Sequence, residues 1–104
     1  MSLKKQFLKS KPVCKVTFKL SKKEAKSADK VRVVGDFNNW DKTTVPMKKL
    51  KNGGFTATID LETGKEYQFR YLLDDQNWEN DWAADSYVPS SESLEENSVV
   101  SCLA

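Results

Sequence analysis

Histidine is absent from this 104-residue chain, and cysteine occurs only twice, at Cys14 and Cys102. Two lone cysteines and no imidazole make no zinc site, so no metal and no other cofactor is expected. The cysteines lie near opposite ends, each inside an apolar run. A disulfide between them would close a long loop worth about 4–5 kcal/mol. Because Met1 to Lys15 lacks the apolar stretch of a secretion signal, two buried thiols are expected instead. Long apolar runs are missing as well: none approaches the roughly 20 residues of a membrane-spanning helix. The expectation is a cytoplasmic protein with no membrane partner.

Charge of one sign is also scarce overall, with 17 basic residues against 15 acidic ones and a net charge of +2. The distribution is nevertheless two-sided, because ten lysines fall within the first thirty residues and eleven acids lie from Asp60 onward. A lysine-rich front could be a nucleic-acid footprint. Lys15 and Lys19, however, alternate with Val16, Phe18 and Leu20, as the solvent face of a strand does, and no nucleic-acid partner is expected. A hydrophobic content of 38% and a mean hydropathy of −0.64 suit a small sandwich whose strands are polar on one side. The length allows one domain with two packed layers and is too short for a barrel enzyme with its loops.

What is present is strand patterning. Residues 13–20, VCKVTFKL, put Cys14, Val16, Phe18 and Leu20 on one side and Lys15, Thr17 and Lys19 on the other. Val31 to Gly35 is a second strand, and Val45 to Leu50 a third, which Pro46 marks as an edge or a strand start. Asn52-Gly53 is a hairpin signal. FTATIDL and EYQFRYLLD follow, joined by a turn at Thr63-Gly64, so that these three strands read as a meander. Residues 74–97 show no period, and SVVSCL closes the chain. No segment has helical spacing. Six or seven short strands without a helix make an all-β, two-sheet antiparallel sandwich, each sheet with one wet face.

The turn after Val31–Gly35 reads DFNNW and carries two large aromatics. Trp40 either caps the open end of the sandwich or waits for a flat partner. Phe37 is read as core. In EYQFRYLLDD, Gln68, Arg70 and Leu72 oppose the aromatic row, so Arg70 projects from an outer face toward the stretch holding Asp74, Asp75 and Trp78. If Trp40 folds beside this strand, two indoles, a guanidinium and the amides of Asn38, Asn39 and Asn97 share one patch. Such an inventory suits a sugar, whose C–H face lies flat on an indole while its hydroxyls need planar donors and acceptors. The bland alternatives are a capping Trp40, turn-forming asparagines and an Arg70 paired with a nearby carboxylate.

The blocks VRVVGDFNNWD, YQFRYLLDDQNW and ENSVV, in this order, resemble the family 48 carbohydrate-binding modules. These include the glycogen-binding domain of the AMP-activated kinase β subunit and the early-set domains preceding isoamylases and glycogen branching enzymes. The likeness covers residues 13–103, leaving 1–12 as an N-terminal extension to a glycogen-binding-like domain at 13–104. It implies an immunoglobulin-like, early-set β-sandwich of six to eight strands that binds α-1,4-linked glucan. By position, the resemblance makes Trp40 and Trp78 stacking platforms, puts Arg70 in the place of a basic sugar-binding residue that is lysine in the kinase module, and matches Asn97 to a hydroxyl-binding asparagine, with Asn39 and Trp82 as further candidates. The chain departs from the pattern at WENDW, where Trp82 replaces a proline, and at SESLEEN, where a glycine-containing loop is usual. An exposed Trp82 would extend the platform; folded against Tyr87 it would be a lid. The acidic neighbours Asp81 and Asp85 favour exposure.

A glycosidase needs two carboxylates about 5 to 9.5 Å apart inside a cleft. Asp74, Asp75, Glu79 and Asp81 fall on a short loop and read as a solvated acidic turn, so no catalytic residue is assigned and a non-catalytic chain is expected. Its partner is then an α-glucan or maltooligosaccharide. The alternative is a protein-interaction or regulatory module of glycan metabolism that has lost sugar binding and contacts an α-glucan-active enzyme or another protein.

Overall fold

A computed structural model describes residues 2–44, 46–90 and 95–103. Nine strands form two antiparallel sheets among these residues. In the first sheet β1 (Ser2–Phe7) pairs with β2 (Val13–Leu20), β2 with β5 (Phe55–Glu62), and β5 with the short β4 (Lys48–Lys49). The second sheet runs β3 (Val31–Gly35), β6 (Glu66–Leu73), β9 (Glu96–Ser101), β8 (Ser86–Pro89), and β7 (Asn77–Glu79) pairs with the far end of β6. The period-2 pattern of β2 and β6 explains why the layers close. Val16, Phe18 and Leu20 on β2 and Phe69, Tyr71 and Leu73 on β6 are buried in one core with Val31, Val33 and Val100. Phe18 meets Phe69 edge-on with ring centroids 5.1 Å apart, and Phe69 meets Tyr71 in the same way at 5.6 Å.

Several sequence expectations need correction. The strands at 55–62 and 66–73 do not belong to one meander, because β5 pairs only within the first sheet and β6 only within the second. The turn at Thr63-Gly64 is therefore a corner between layers, with Gly64 in the left-handed region (φ 84°) and its N–H donating to the Cys102 carbonyl. Alternation gives each strand an apolar side but does not say whether consecutive apolar sides lie next to each other or face each other. The third strand is shorter than 45–50; β4 covers only Lys48–Lys49, and Val45 lies outside the described residues. The segment set apart as an N-terminal extension supplies β1, registered along β2 from Ser2 opposite Lys19 to Phe7 opposite Cys14. Its inward row includes Lys5, whose ammonium reaches Asp85 at 2.6 Å, and that lysine breaks the apolar alternation.

Only the first sheet has the expected wet face. Lys15 and Lys19 stand on its outward row, with Lys15 3.3 Å from Asp60 and Thr17 hydrogen-bonded to Thr58 at 3.0 Å. On the second sheet the outward residues Val34, Leu72 and Val99 are buried, and so are Arg70 and Asn97. Cys14 and Cys102 are free and buried. Burial, together with a hydrogen bond to Cys14, pushes the Cys102 thiol up to about 12.

Candidate functional site

The aromatic turn is built by its small and polar residues. At Gly35 a side chain has no room: a Cβ there would lie 2.4 Å from the Gln68 carbonyl oxygen and 2.7 Å from Phe69 Cβ. Asp36–Asn38 then make one turn of 3-10 helix. Asn38 ties the turn to β3, its Oδ1 accepting from the Gly35 N–H and its Nδ2 donating to the Val33 carbonyl, both at 3.0 Å. Phe37 turns inward, with ring centroids 5.6 Å from Phe18 and 6.3 Å from Tyr67, as the core reading expects. Asn39 and Trp40 follow in the left-handed region (φ 57° and 56°). For a tryptophan this conformation costs about 1–3 kcal/mol, which surrounding contacts must offset. The Trp40 N–H donates to the Gly35 carbonyl at 2.9 Å. Asp36 then spends one carboxylate oxygen on the Trp40 indole N–H at 2.9 Å and the other on the Gln68 backbone N–H at 2.8 Å. The indole is left half-buried and oriented.

Strand register supplies the floor beneath it. Gln68, Arg70 and Leu72 form the outward row of β6; Val34 lies beside Arg70, Val99 beside Gln68, and Trp78 beside Leu72. Trp78 is delivered by a tight β6–β7 turn in which Asp74 and Asp75 both have positive φ (50° and 60°) and the Gln76 N–H donates to the Leu73 carbonyl at 3.0 Å. Two positive φ values suit the right-handed twist of a hairpin. Asp74 Oδ1 accepts from the Asp29 and Lys30 N–H groups, and Asp75 pairs with Arg32. These acids are structural parts of the turn.

The result is a groove of about 1090 Å³ lined by Trp40, Trp78, Arg70, Asn97 and Asn39, together with Gln68 and Lys42. Arg70 does not project into solvent as the strand pattern suggests. It is buried along the floor, with Nε donating to Asn97 Oδ1 at 2.6 Å and Nη1 3.4 Å from Glu95 Oε2. Asn97 Nδ2 passes the chain on to Gln68 Oε1 at 3.0 Å. Two indoles and a connected strip of carboxamide and guanidinium groups thus line one groove.

Asn38 and Trp82 fall outside this groove. Asn38 is consumed by its turn, and the Trp82 ring is 51% exposed elsewhere on the surface. Asp81 is not part of a solvated acidic turn; it is fully buried. Its carboxylate accepts from the Tyr71 hydroxyl at 2.7 Å and the Ala83 N–H at 2.8 Å, while its own N–H donates to Ser98 Oγ at 2.8 Å. Burial pushes the Asp81 carboxyl above its ordinary range, and burial followed by the Asp81 charge pushes the Tyr71 hydroxyl well above its own. The Tyr87 hydroxyl donates to the Asp81 carbonyl at 2.6 Å. Sequence reading also missed Lys42, whose one signal is its place two residues after Trp40, and the orienting role of Asp36. Residues 91–94, in the loop SESLEEN, lie outside the described residues. Among the described residues no cluster of acids and cysteines could hold a metal ion.

Residues 15–88 match the family model for carbohydrate-binding module 48, the isoamylase N-terminal domain. The chain is similar to the 1,4-alpha-glucan branching enzyme GlgB of Aquifex aeolicus (strain VF5), 40% identical over 60 residues that make up 55% of this chain and 9% of that enzyme. It is also similar to the GlgB of Halothermothrix orenii, 38% identical over 49 residues, 47% of this chain and 8% of the enzyme. Each match therefore takes in less than a tenth of the relative's length.

Proposed function

The chain belongs to the carbohydrate-binding module 48 family, which supports carbohydrate binding, and from that premise we propose that it binds α-1,4-linked glucan without transforming it. The observation that carries this reading is the convergence of Trp40 and Trp78 on one groove whose floor is the strip Gln68, Asn97 and Arg70. Indoles offer flat apolar faces to pyranose rings, and the polar strip offers donors and acceptors to their hydroxyls. The similarity to proteins named 1,4-alpha-glucan branching enzymes supports the choice of glucan. Of the groove's carboxylates, Asp36 holds an indole and a backbone N–H, Asp74 holds a turn, and Glu95 faces Arg70. These roles support binding rather than acid–base chemistry.

Native electrophoresis in gels with and without glycogen tests the proposal: the protein is retarded by glycogen, and Trp40→Ala is not. Equal mobility of the wild-type protein in both gels would overturn it. A second reading, a module that contacts another protein, is favoured by one observation. Phe7, Trp82, Tyr87 and Leu103 are each at least 40% exposed and none of them lines the groove. Co-purification of a defined protein by a glycogen-indifferent chain would support that reading.

A further inference from the structure

We infer that Lys42 sets the groove's affinity by occupying the face of Trp78 until a sugar displaces it. This rests on the glucan reading above. The Lys42 ammonium lies 5.8 Å from the centroid of the Trp78 ring, within the reach of a cation–π contact, and both residues line the same groove. The contact spans the site, because the turn that carries one indole sends its next cation onto the other.

Three observations make this more than a wandering surface lysine. The backbone on either side of Lys42 is held: the Asp41 N–H donates to the Asn38 carbonyl at 3.2 Å, and Asp41 Oδ1 accepts from the Thr43 N–H and hydroxyl at 2.8 and 2.6 Å. The groove's other cations are committed, Lys26 to Glu79 at 2.5 Å and Arg70 to Asn97 and Glu95. Among the described residues no carboxylate pairs with Lys42, so its contact with the indole is uncontested. A pyranose stacking on the groove side of Trp78 needs the same face, and an ammonium and a sugar cannot both cover it. Displacement is cheap, since Lys42 is exposed and its stem is flexible. The cation therefore attenuates binding rather than blocking it.

The test pairs calorimetry with NMR, using maltoheptaose as the probe. Lys42→Ala removes both the charge and the stem that covers the ring. It is expected to bind maltoheptaose about two- to fivefold more tightly than the wild type, the fold-change that matches an exposed cation–π contact. In the free wild-type protein the ring current of Trp78 shifts the Lys42 ε-methylene protons upfield, and saturation with maltoheptaose returns them toward the position of a free lysine. Equal or weaker binding by Lys42→Ala, or protons that stay upfield in the complex, would overturn the role of Lys42 alone. Absence of binding by both proteins at millimolar sugar would remove the glucan reading and this inference with it.

Discussion

Asp36 uses both carboxylate oxygens to orient Trp40 against β6, so it is a positioning residue whose loss should be felt at the indole. Asp36→Ala is expected to cost about 1–2 kcal/mol of stability through the lost hydrogen bonds and to weaken glucan binding several-fold; chemical denaturation and calorimetry report the two effects separately. Trp40→Ala should abolish measurable binding and leave the circular dichroism spectrum intact, because the ring is half-buried outside the main core. Trp82 separates the same quantities in another way. With its ring 51% exposed and outside the groove, Trp82→Ala should change neither glucan affinity nor melting temperature appreciably. A large fall in melting temperature would identify it as a lid.

Elements carry a different set of consequences, since the site depends on how closely β3 and β6 approach. Gly35→Ala places a methyl against the Gln68 carbonyl and the Phe69 Cβ, both of them rigid neighbours, and should destabilise the fold by about 1–3 kcal/mol in urea titrations. Asp81 joins the β7–β8 connection to β6 and β9 and introduces a pH dependence. Its carboxyl is raised in the folded protein, so the folded state holds that proton more tightly than the unfolded chain, where the group titrates at its ordinary value of 3.8. The stabilisation is therefore fully present below that pH and is lost as pH rises through the raised folded value. Asp81→Asn can accept from Ala83 and donate to Tyr71, so urea midpoints should show it gaining on the wild type as pH rises above 3.8. A gain in the opposite direction would refute the buried-acid account.

This scale also shows what could be read from residue order. The strand at 13–20 was legible because a half-buried strand writes its two faces into alternate positions, and the strand at 66–73 because Tyr67, Phe69 and Tyr71 alternate with Gln68 and Arg70. From the same alternation Arg70 could be put on an outer row, and the family resemblance supplied its neighbours Trp40, Trp78 and Asn97. The burial of that row was not legible, because a strand's own period says nothing of what other segments fold over it. Asp81 was misread because it is a charged group drawn inward by a partner on another strand, the Tyr71 hydroxyl.

For the whole molecule, area sets the scale of affinity. Covering roughly 60 Å² of each indole at about 25 cal/mol per Å² yields about 3 kcal/mol, and ordering costs offset part of what the polar strip adds. Binding of maltoheptaose should accordingly have a Kd nearer millimolar than nanomolar by calorimetry, with glycogen held more firmly if the protein self-associates. A nanomolar value would mean that a major contact has been overlooked. Purified protein is expected to leave the reducing ends and iodine staining of glycogen unchanged; persistent activity that disappears with Glu79→Gln would contradict a non-catalytic module.

The groove floor comes from β6 and β9 and its indoles from the turn after β3 and from β7, so residues as far apart in the chain as Trp40 and Asn97 must be brought to one groove before it exists. Pairings of such long range are the slow ones, typically forming in milliseconds to seconds. A ribosome-tethered chain that ends before β9 lacks Asn97 and the strand that seats it against β6, even though both tryptophans have already been synthesised. If the groove binds glucan as proposed, retention on glycogen is expected only once β9 has been synthesised, and it would report assembly of the groove when chain length is increased one segment at a time.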